Sequence, residues 1–252
     1  MTDHFGSAAA PGPTTVRTAW FISSPDLFTE LQIGPQLDRA ASAAFAASLY
    51  PHNTLVPLAD STLAAASAPS PEHVYVGSFA GGVAVASAEL SNPLDAGHPR
   101  WQPAGPAPLT LAFAIDTLSG TGGFARWESG ILARGLNAAP TALIEDQGLP
   151  HPFEAPFWAG EHPRILPPGL APDPFTLPFD AAFFADRANT QWLGFSYLHD
   201  IPGQPDISSI PLCGFSIRPA GYQPSAAELR GSTEFSGGRV ARWFGFAKPT
   251  EP

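Results

Sequence analysis

The chain has 252 residues, a formal net charge of −10 and a charged fraction of only 13%, against a hydrophobic fraction of 44%. A chain of this length buries about three quarters of the surface that it exposes when unfolded, so it can fold without disulfides or structural metals. The acidic balance excludes the basic face that a phosphate backbone requires, and we therefore expect no nucleic-acid partner.

The sequence carries no recognisable targeting or membrane signal. No window of eighteen residues is apolar throughout, so we expect no membrane span. Residues 1–15, "MTDHFGSAAAPGPTT", lack the basic and apolar regions of a signal peptide and indicate a disordered leader. The single cysteine, Cys213, lies in the apolar run "IPLCGFSI" and predicts a buried, inert thiol. A cytoplasmic protein is the expectation.

The first elements follow from hydrophobic patterning and from proline positions. Residues 16–24, "VRTAWFISS", predict a buried strand that stops before Pro25. Residues 37–50, "LDRAASAAFAASLY", predict an amphipathic helix that Pro51 ends. The apolar stripe of that helix is expected to contain Leu37, Ala41, Ala44, Phe45 and Leu49.

Further strands and helices are predicted along the rest of the chain. Pro57 predicts that the short strand at 54–60 lies at a sheet edge, because proline cannot donate to a central ladder. The expected strands are 74–76, 83–87, 109–116, 123–129, 131–138 and 211–218, and the expected helices are a weak one at 61–68 and a long one at 179–195. The pattern predicts an α+β fold: a single domain at 16–218, with a mostly antiparallel sheet covered by two main helices.

Each of two glycine-rich stretches has two interpretations, a phosphate-binding loop or a turn. "GTGGFA" at 120–125 has nearly the glycine spacing of a dinucleotide fingerprint, but the next residues predict a strand where the fingerprint requires a helix. "GSFAGG" at 77–82 lacks the Lys-Ser/Thr pair of a P-loop. We interpret both stretches as turns and expect no cofactor.

A proline-rich segment, here called the strap, occupies residues 150–178 and contains nine prolines. Such a segment is extended and cannot be a central strand. Its aromatic side chains, Phe153, Phe157 and Trp158, are expected to pack against the sheet. The strap is therefore expected to be a rigid structural element.

The strap also carries the candidate catalytic residues, which are His151, Glu154, Glu161 and His162. A carboxylate that orients an imidazole serves proton transfer, and two imidazoles with a carboxylate can bind a divalent metal. Loop spacing does not select between these roles. We expect Glu154 to be a structural acceptor for backbone amides of the strap, and we expect no bound metal.

Five strings, in this order, carry a family resemblance: "LDRAA" (37–41), "VYVGSF" (74–79), "FEAPFWAGEHP" (153–163), "LPFD" (177–180) and "CGF" (213–215). They resemble an uncharacterised bacterial family of the actinomycete type, a domain of unknown function. The resemblance covers about residues 16–218. It implies a small cytosolic single-domain protein and supplies no activity, cofactor or catalytic residue.

Residues 219–252 are expected to form a flexible tail that ends in an aromatic and basic segment. They carry four cations and three carboxylates, so the remaining 218 residues carry −11. The segment 239–248 can fold back on the domain or dock on another protein, where Trp, Phe and Arg are frequent anchors. The expected partner-binding residues are Arg239, Arg242, Trp243, Phe244 and Phe246.

Three functional interpretations follow from the sequence. The favoured one is a non-catalytic cytosolic interaction or accessory domain, since no catalytic constellation is recognisable. The alternatives are a small hydrolase that uses His151, Glu154 or His162, and a regulatory domain that binds a ligand in a pocket beneath the strap.

Overall fold

The structure, a computed structural model, describes residues 14–166, 169, 174–226 and 228. The strands are β1 Thr15–Ile22, β2 Thr54–Pro57, β3 Ser61–Thr62, β4 His73–Phe79, β5 Gly82–Ser87, β6 Leu109–Asp116, β7 Thr121–Glu128, β8 Ile131–Ala139, β9 Ala142–Gly148 and β10 Pro211–Arg218. The helices are α1 Asp26–Ile33, α2 Arg39–Leu49, α3 Leu63–Ala66, α4 Ala155–Trp158 and α5 Ala181–Leu193. Short 3₁₀ turns cover Pro93–Gly97, Pro99–Trp101 and Pro152–Glu154.

One sheet contains all ten strands, and every pairing in it is antiparallel. Its order is β2-β10-β4-β5-β1-β6-β7-β8-β9, with β3 also pairing with β10. The first predicted strand, β1, is central because it is apolar on both faces and pairs with β5 and β6. The sheet and its helices confirm the predicted α+β fold.

The two main helices cover opposite faces of the sheet. Helix α5 buries Phe184 and Ala188 in a core that contains Trp20 of β1. Helix α2 buries Ala46 in a second core, which contains Phe21 of the same strand. Successive residues of β1 therefore serve different cores, as the alternation of side chains along a strand requires.

The predicted stripe of α2 is wrong in part, because Ala41 and Ala44 are exposed. The residues of this helix that are buried are Ser42, Ala43, Ala46 and Leu49. The Ser42 hydroxyl donates to the carbonyl of Asp38 at 2.6 Å and accepts the amide of Ser78 at 2.9 Å. A satisfied serine thus fixes the face that turns inward, and alanine spacing alone could not show this face.

The strap is not fully extended, which corrects the prediction. It contains the 3₁₀ turn Pro152–Glu154 and the helical turn Ala155–Trp158. Pro152 and Pro156 stand in the first positions of these turns, where the missing proline N–H breaks no helical hydrogen bond. The prolines therefore start two short turns.

Strand β9 was not predicted, and it forms one edge of the sheet. Ile144 has no partner in the β8–β9 register, in which Glu145 pairs with Asn137 and Leu143 with Ala138. This irregularity and the acidic Glu145 and Asp146 are features that protect edge strands from pairing with other chains.

The start of α5 lies directly on β7, at Gly122. A Cβ atom at this glycine would lie 1.9 Å from the carbonyl oxygen of Ala181 and 2.3 Å from its carbonyl carbon. Only glycine permits this close approach of helix and sheet. The contact fixes the position of the first turn of α5 relative to the sheet.

No helix within the described residues has the length and apolarity of a membrane-spanning segment.

Candidate functional site

Aromatic side chains attach the strap to α5. The ring of Phe157 is buried and stacks on Phe184, with centroids 4.3 Å apart and planes at 13°. Trp158 meets the same Phe184 edge-on at 6.1 Å. Phe153 packs against Trp192, farther along the helix, at 5.8 Å. Aromatic pairs of this kind contribute about 0.5–1.5 kcal/mol each beyond the area that they bury, so the strap is firmly held.

Glu154, in the 3₁₀ turn of the strap, is completely buried and forms an ion pair with Arg134 of β8, which is also completely buried. The Nε and Nη2 atoms of Arg134 donate to the two carboxylate oxygens of Glu154 at 2.9 and 2.7 Å. The amide of His151 donates to the same carboxylate at 2.8 Å, and Nε1 of Trp158 donates at 3.3 Å. Glu154 thus accepts a strap amide, and both of its oxygens are engaged.

The other side of the Arg134 guanidinium is also satisfied. Its Nη1 atom donates to Asp146 at 2.5 Å, to the carbonyl of Gln147 at 2.9 Å and to the carbonyl of Gly135 at 3.2 Å. Burial lowers the pKa of Arg134, but its hydrogen bonds to Glu154 and Asp146 outweigh this effect and raise the pKa above its ordinary value. The cluster is a bidentate ion pair that joins the strap to β8 and β9.

The four candidate residues of the strap fall into two separate places. The imidazole of His151 stacks on Phe153 at 6.0 Å and meets Trp192 edge-on at 5.4 Å, beside the Glu154 cluster. Glu161 and His162 lie farther along the strap, near its middle, where they line a cavity. Arg134, which determines the role of Glu154, was not among the sequence candidates.

This cavity, here called the strap cleft, has a volume of about 460 Å³. That volume lies within the range of about 300–1,000 Å³ that small-molecule sites occupy. Its walls come from the strap, the β6–β7 turn, the first turn of α5 and the loop after α5. They contain Thr117, Glu161, His162, Pro163, Ile165, Asp180, Ala182, Phe183, Leu198 and His199.

Three aromatic rings form the centre of the strap cleft. The half-buried ring of Phe183 contacts two imidazoles edge-to-face, His162 at 5.5 Å and His199 at 5.2 Å. Their planes stand at 70° and 88° to the Phe183 ring. Phe157 supports His162 from behind at 4.4 Å. The core thus fixes the position of at least one imidazole.

Among the described residues that line the strap cleft, the charged groups are the carboxylates of Glu161 and Asp180. Glu161 is exposed at the rim. Asp180 caps α5, because its Oδ1 atom accepts the amide of Phe183 at 3.0 Å. The positive end of this helix is therefore already matched by a carboxylate of the chain. The strap residue Arg164 lies outside the lining, and its guanidinium is placed against Gly120.

Asp186, Ser196 and His199 lie together after α5, but they do not form a catalytic triad. The Ser196 hydroxyl donates to Asp186 at 2.5 Å and accepts the amides of Leu198 and His199 at 3.1 and 2.8 Å. Burial raises the pKa of Asp186, although its hydrogen bonds from Ser196 and from the amide of Tyr197 act against this effect. The serine oxygen is occupied and buried, so the group holds the loop that carries His199.

A second cavity, of about 700 Å³, lies within the loop at 196–207. All of its lining residues belong to this one loop. The strap cleft combines four separate parts of the fold, so the fold determines its shape. Among residues 14–166, 169, 174–226 and 228, no three His, Cys, Asp or Glu side chains are grouped as a metal site.

Two predictions concern the ends of the chain, most of which the structure does not describe. Of the predicted leader, residues 1–13 lie outside the described part, and Thr15 already belongs to β1. Of the predicted tail, only 219–226 and 228 are described. The predicted partner-binding residues lie outside the described range; they are Arg239, Arg242, Trp243, Phe244 and Phe246.

Comparison with known proteins places the chain in a family. No curated protein and no solved structure matches the sequence. A family model does match, over residues 16–215, which cover the sheet from β1 to β10 together with α5 and the strap. The chain belongs to this family, which is described as a family of unknown function (DUF6928).

Proposed function

We propose that the chain is a non-catalytic, cytosolic accessory domain that binds a small organic molecule in the strap cleft. The observation that carries the proposal is the cleft itself, a cavity of about 460 Å³ around the half-buried ring of Phe183. Apolar walls with a few convergent polar groups are typical of ligand sites. The proposal joins the favoured accessory role to the predicted pocket beneath the strap.

The role of Glu154 supports binding over hydrolysis. A general base needs a free lone pair within reach of a substrate proton. Glu154 is 0% exposed, and its oxygens accept from Arg134, Trp158 and the amide of His151. A carboxylate in this state has no access to a substrate. The imidazole of His162 lies in the strap cleft, away from the cluster that Glu154 forms.

The rigidity of the walls supports a preformed site. Phe157 fixes His162, the Ser196–Asp186 hydrogen bond fixes the loop of His199, and Gly122 fixes the start of α5. A site whose walls are set before binding loses less conformational entropy when it takes up a ligand.

Removal of the His199 side chain, which lines the strap cleft, tests the proposal. Small organic molecules of mixed charge are first screened for binding to the full chain, and the affinities of the hits are then measured for His199→Ala. Loss of one aromatic contact costs about 0.5–1.5 kcal/mol, so we expect affinities about 2- to 10-fold weaker. His52→Ala, at an exposed histidine of the loop between α2 and β2, is the matched control and leaves the affinities unchanged. Equal affinities in His199→Ala and His52→Ala would contradict the proposal.

A separate part of the proposal is that the tail, residues 219–252, binds a protein partner. Residues 239–248 contain three cations beside Val240, Trp243, Phe244 and Phe246, whereas the first 218 residues carry a net charge of −11. Trp, Phe and Arg are frequent anchors in protein interfaces, so we propose that this segment recruits a partner.

Deletion of residues 236–252 tests the role of the tail. The sheet and both main helices lie before residue 219, so we expect an unchanged melting temperature. We also expect loss of a partner that co-purifies with the full chain from its native host. Retention of every partner by the shortened chain would refute a docking role for the tail.

The cytoplasmic location is also a proposal. It is supported by the single cysteine, Cys213, which is buried and free. Burial raises the pKa of its thiol to about 11, which suits a thiol that stays reduced and unreactive.

A further inference from the structure

We infer that the ligand of the strap cleft is a small organic cation, an ammonium group that bears apolar substituents. This inference rests on the proposed binding function and adds the chemical class of the ligand. Ring faces attract cations through the quadrupole of the π-system, and alkylated ammonium groups are bound in cages of aromatic rings. The rings of His162, Phe183 and His199 line the strap cleft together, and we infer that they act as such a partial cage.

The charges around the strap cleft favour a positively charged ligand. Glu161 and Asp180 are the carboxylates of the lining, and none of the described residues that line it is a lysine or an arginine. Two carboxylates repel an anion and attract a cation. The helix N-terminus, which could otherwise hold an anion, already has Asp180 as its cap.

The form of the cleft selects an ammonium with apolar substituents over a metal ion. Ala182, Leu198 and Ile165 add apolar surface to the lining of the strap cleft. The described residues include no group of three metal-ligand side chains. An inorganic cation would find few fixed oxygen ligands here, whereas an alkylated ammonium gains contact with both the rings and the aliphatic walls.

Three probes of nearly equal shape test the class of ligand in the full chain. Choline is the cation. In 3,3-dimethyl-1-butanol a carbon atom replaces the choline nitrogen, and 3,3-dimethylbutanoate is the corresponding anion. Affinities come from titrations followed by the amide signals of Phe183 and His199. Cation–π attraction and the two carboxylates lead us to expect choline to bind at least about fivefold more tightly than the alcohol, with the anion weakest.

Three variants test whether the charge and the aromatic ring of the strap cleft determine the preference for choline. Glu161→Gln removes an exposed carboxylate of the rim and should reduce the preference for choline, while Asp180 and the rings retain part of it. Glu72→Gln removes a carboxylate that is 69% exposed and pairs with Arg218 on β10, and it serves as the control for net charge. Phe183→Leu keeps an apolar side chain without the ring and should weaken choline more than the alcohol.

The outcomes distinguish this inference from the proposed function. If the alcohol or the anion binds in the cleft as tightly as choline, or if Glu161→Gln and Glu72→Gln behave alike, the cationic class is wrong and the binding function stands. If neither the three probes nor any screened molecule perturbs the cleft, both fail. A preference for choline that falls in Glu161→Gln and is unchanged in Glu72→Gln supports the inference.

Discussion

Replacement of Glu154 by Gln should lower the free energy of unfolding by about 3 kcal/mol, because it leaves the buried guanidinium of Arg134 without its main counter-charge. For a domain of about 200 residues, this loss corresponds to a fall in melting temperature of about 6–12 °C. Thermal or denaturant unfolding of the purified variant measures it. A catalytic Glu154 would behave differently, since its replacement would remove an activity and leave the fold intact.

Asp146→Asn is the matched control for this change. Asp146 pairs with the same guanidinium, but its side chain is 41% exposed, so the loss should stay below about 1 kcal/mol. The double variant Arg134→Met, Glu154→Leu should be more stable than Glu154→Gln, because it buries no unpaired charge. If Glu154→Gln melts at the temperature of the parent chain, the structural role of Glu154 is refuted.

Replacement of Gly122 by Ala should cost about 3 kcal/mol, because the new methyl group would overlap the backbone of Ala181. A backbone atom cannot rotate away as the end of a side chain can, so α5 must move off the sheet. That movement would loosen the packing of Phe184 in the core and displace Phe183 from the strap cleft. Unfolding measurements give the cost, and loss of ligand binding should accompany it.

Gly135→Ala is the control for a glycine in a neighbouring strand. The nearest atoms to a Cβ at Gly135 are side-chain carbons of Leu94, at 3.0 and 3.2 Å. These can shift, so a change of less than about 1 kcal/mol is expected. Equal costs for the Gly122 and Gly135 variants would show that the backbone contact with α5 does not set the position of the helix.

Elements with a clear hydrophobic period could be predicted, whereas short or exposed elements could not, among them α1, β9 and the two turns of the strap. Helix α1 spans only Asp26–Ile33. The sequence features that indicated it were two leucines four residues apart, Leu27 and Leu31, and the serine before Pro25. Strand β9 is exposed on both faces along most of its length, so its residues show no alternation of apolar and polar types. Short or fully exposed elements carry little pattern, because tertiary contacts hold them in place.

The candidate site was predicted in part. Sequence reasoning selected the strap and expected Glu154 to be a structural acceptor, but it missed Arg134, which lies 20 residues away. The available signal was the charge itself, since a cation in the apolar strand "ILARGLNA" needs a buried partner. His199 gave no such signal. It reaches the strap cleft only because Asp186 and Ser196 fold the loop after α5 back toward Phe183.

The most direct test of the binding function is a map of amide chemical shifts across the whole chain, recorded while hits from the small-molecule screen are added. Our account predicts shifts confined to the lining residues of the strap cleft that have a backbone amide, which are 117, 161, 162, 165, 180, 182, 183, 198 and 199. Shifts centred on the loop cavity at 200–207, on β9 or on the Glu154 cluster would contradict it, as would the absence of any shift at Phe183 and His199.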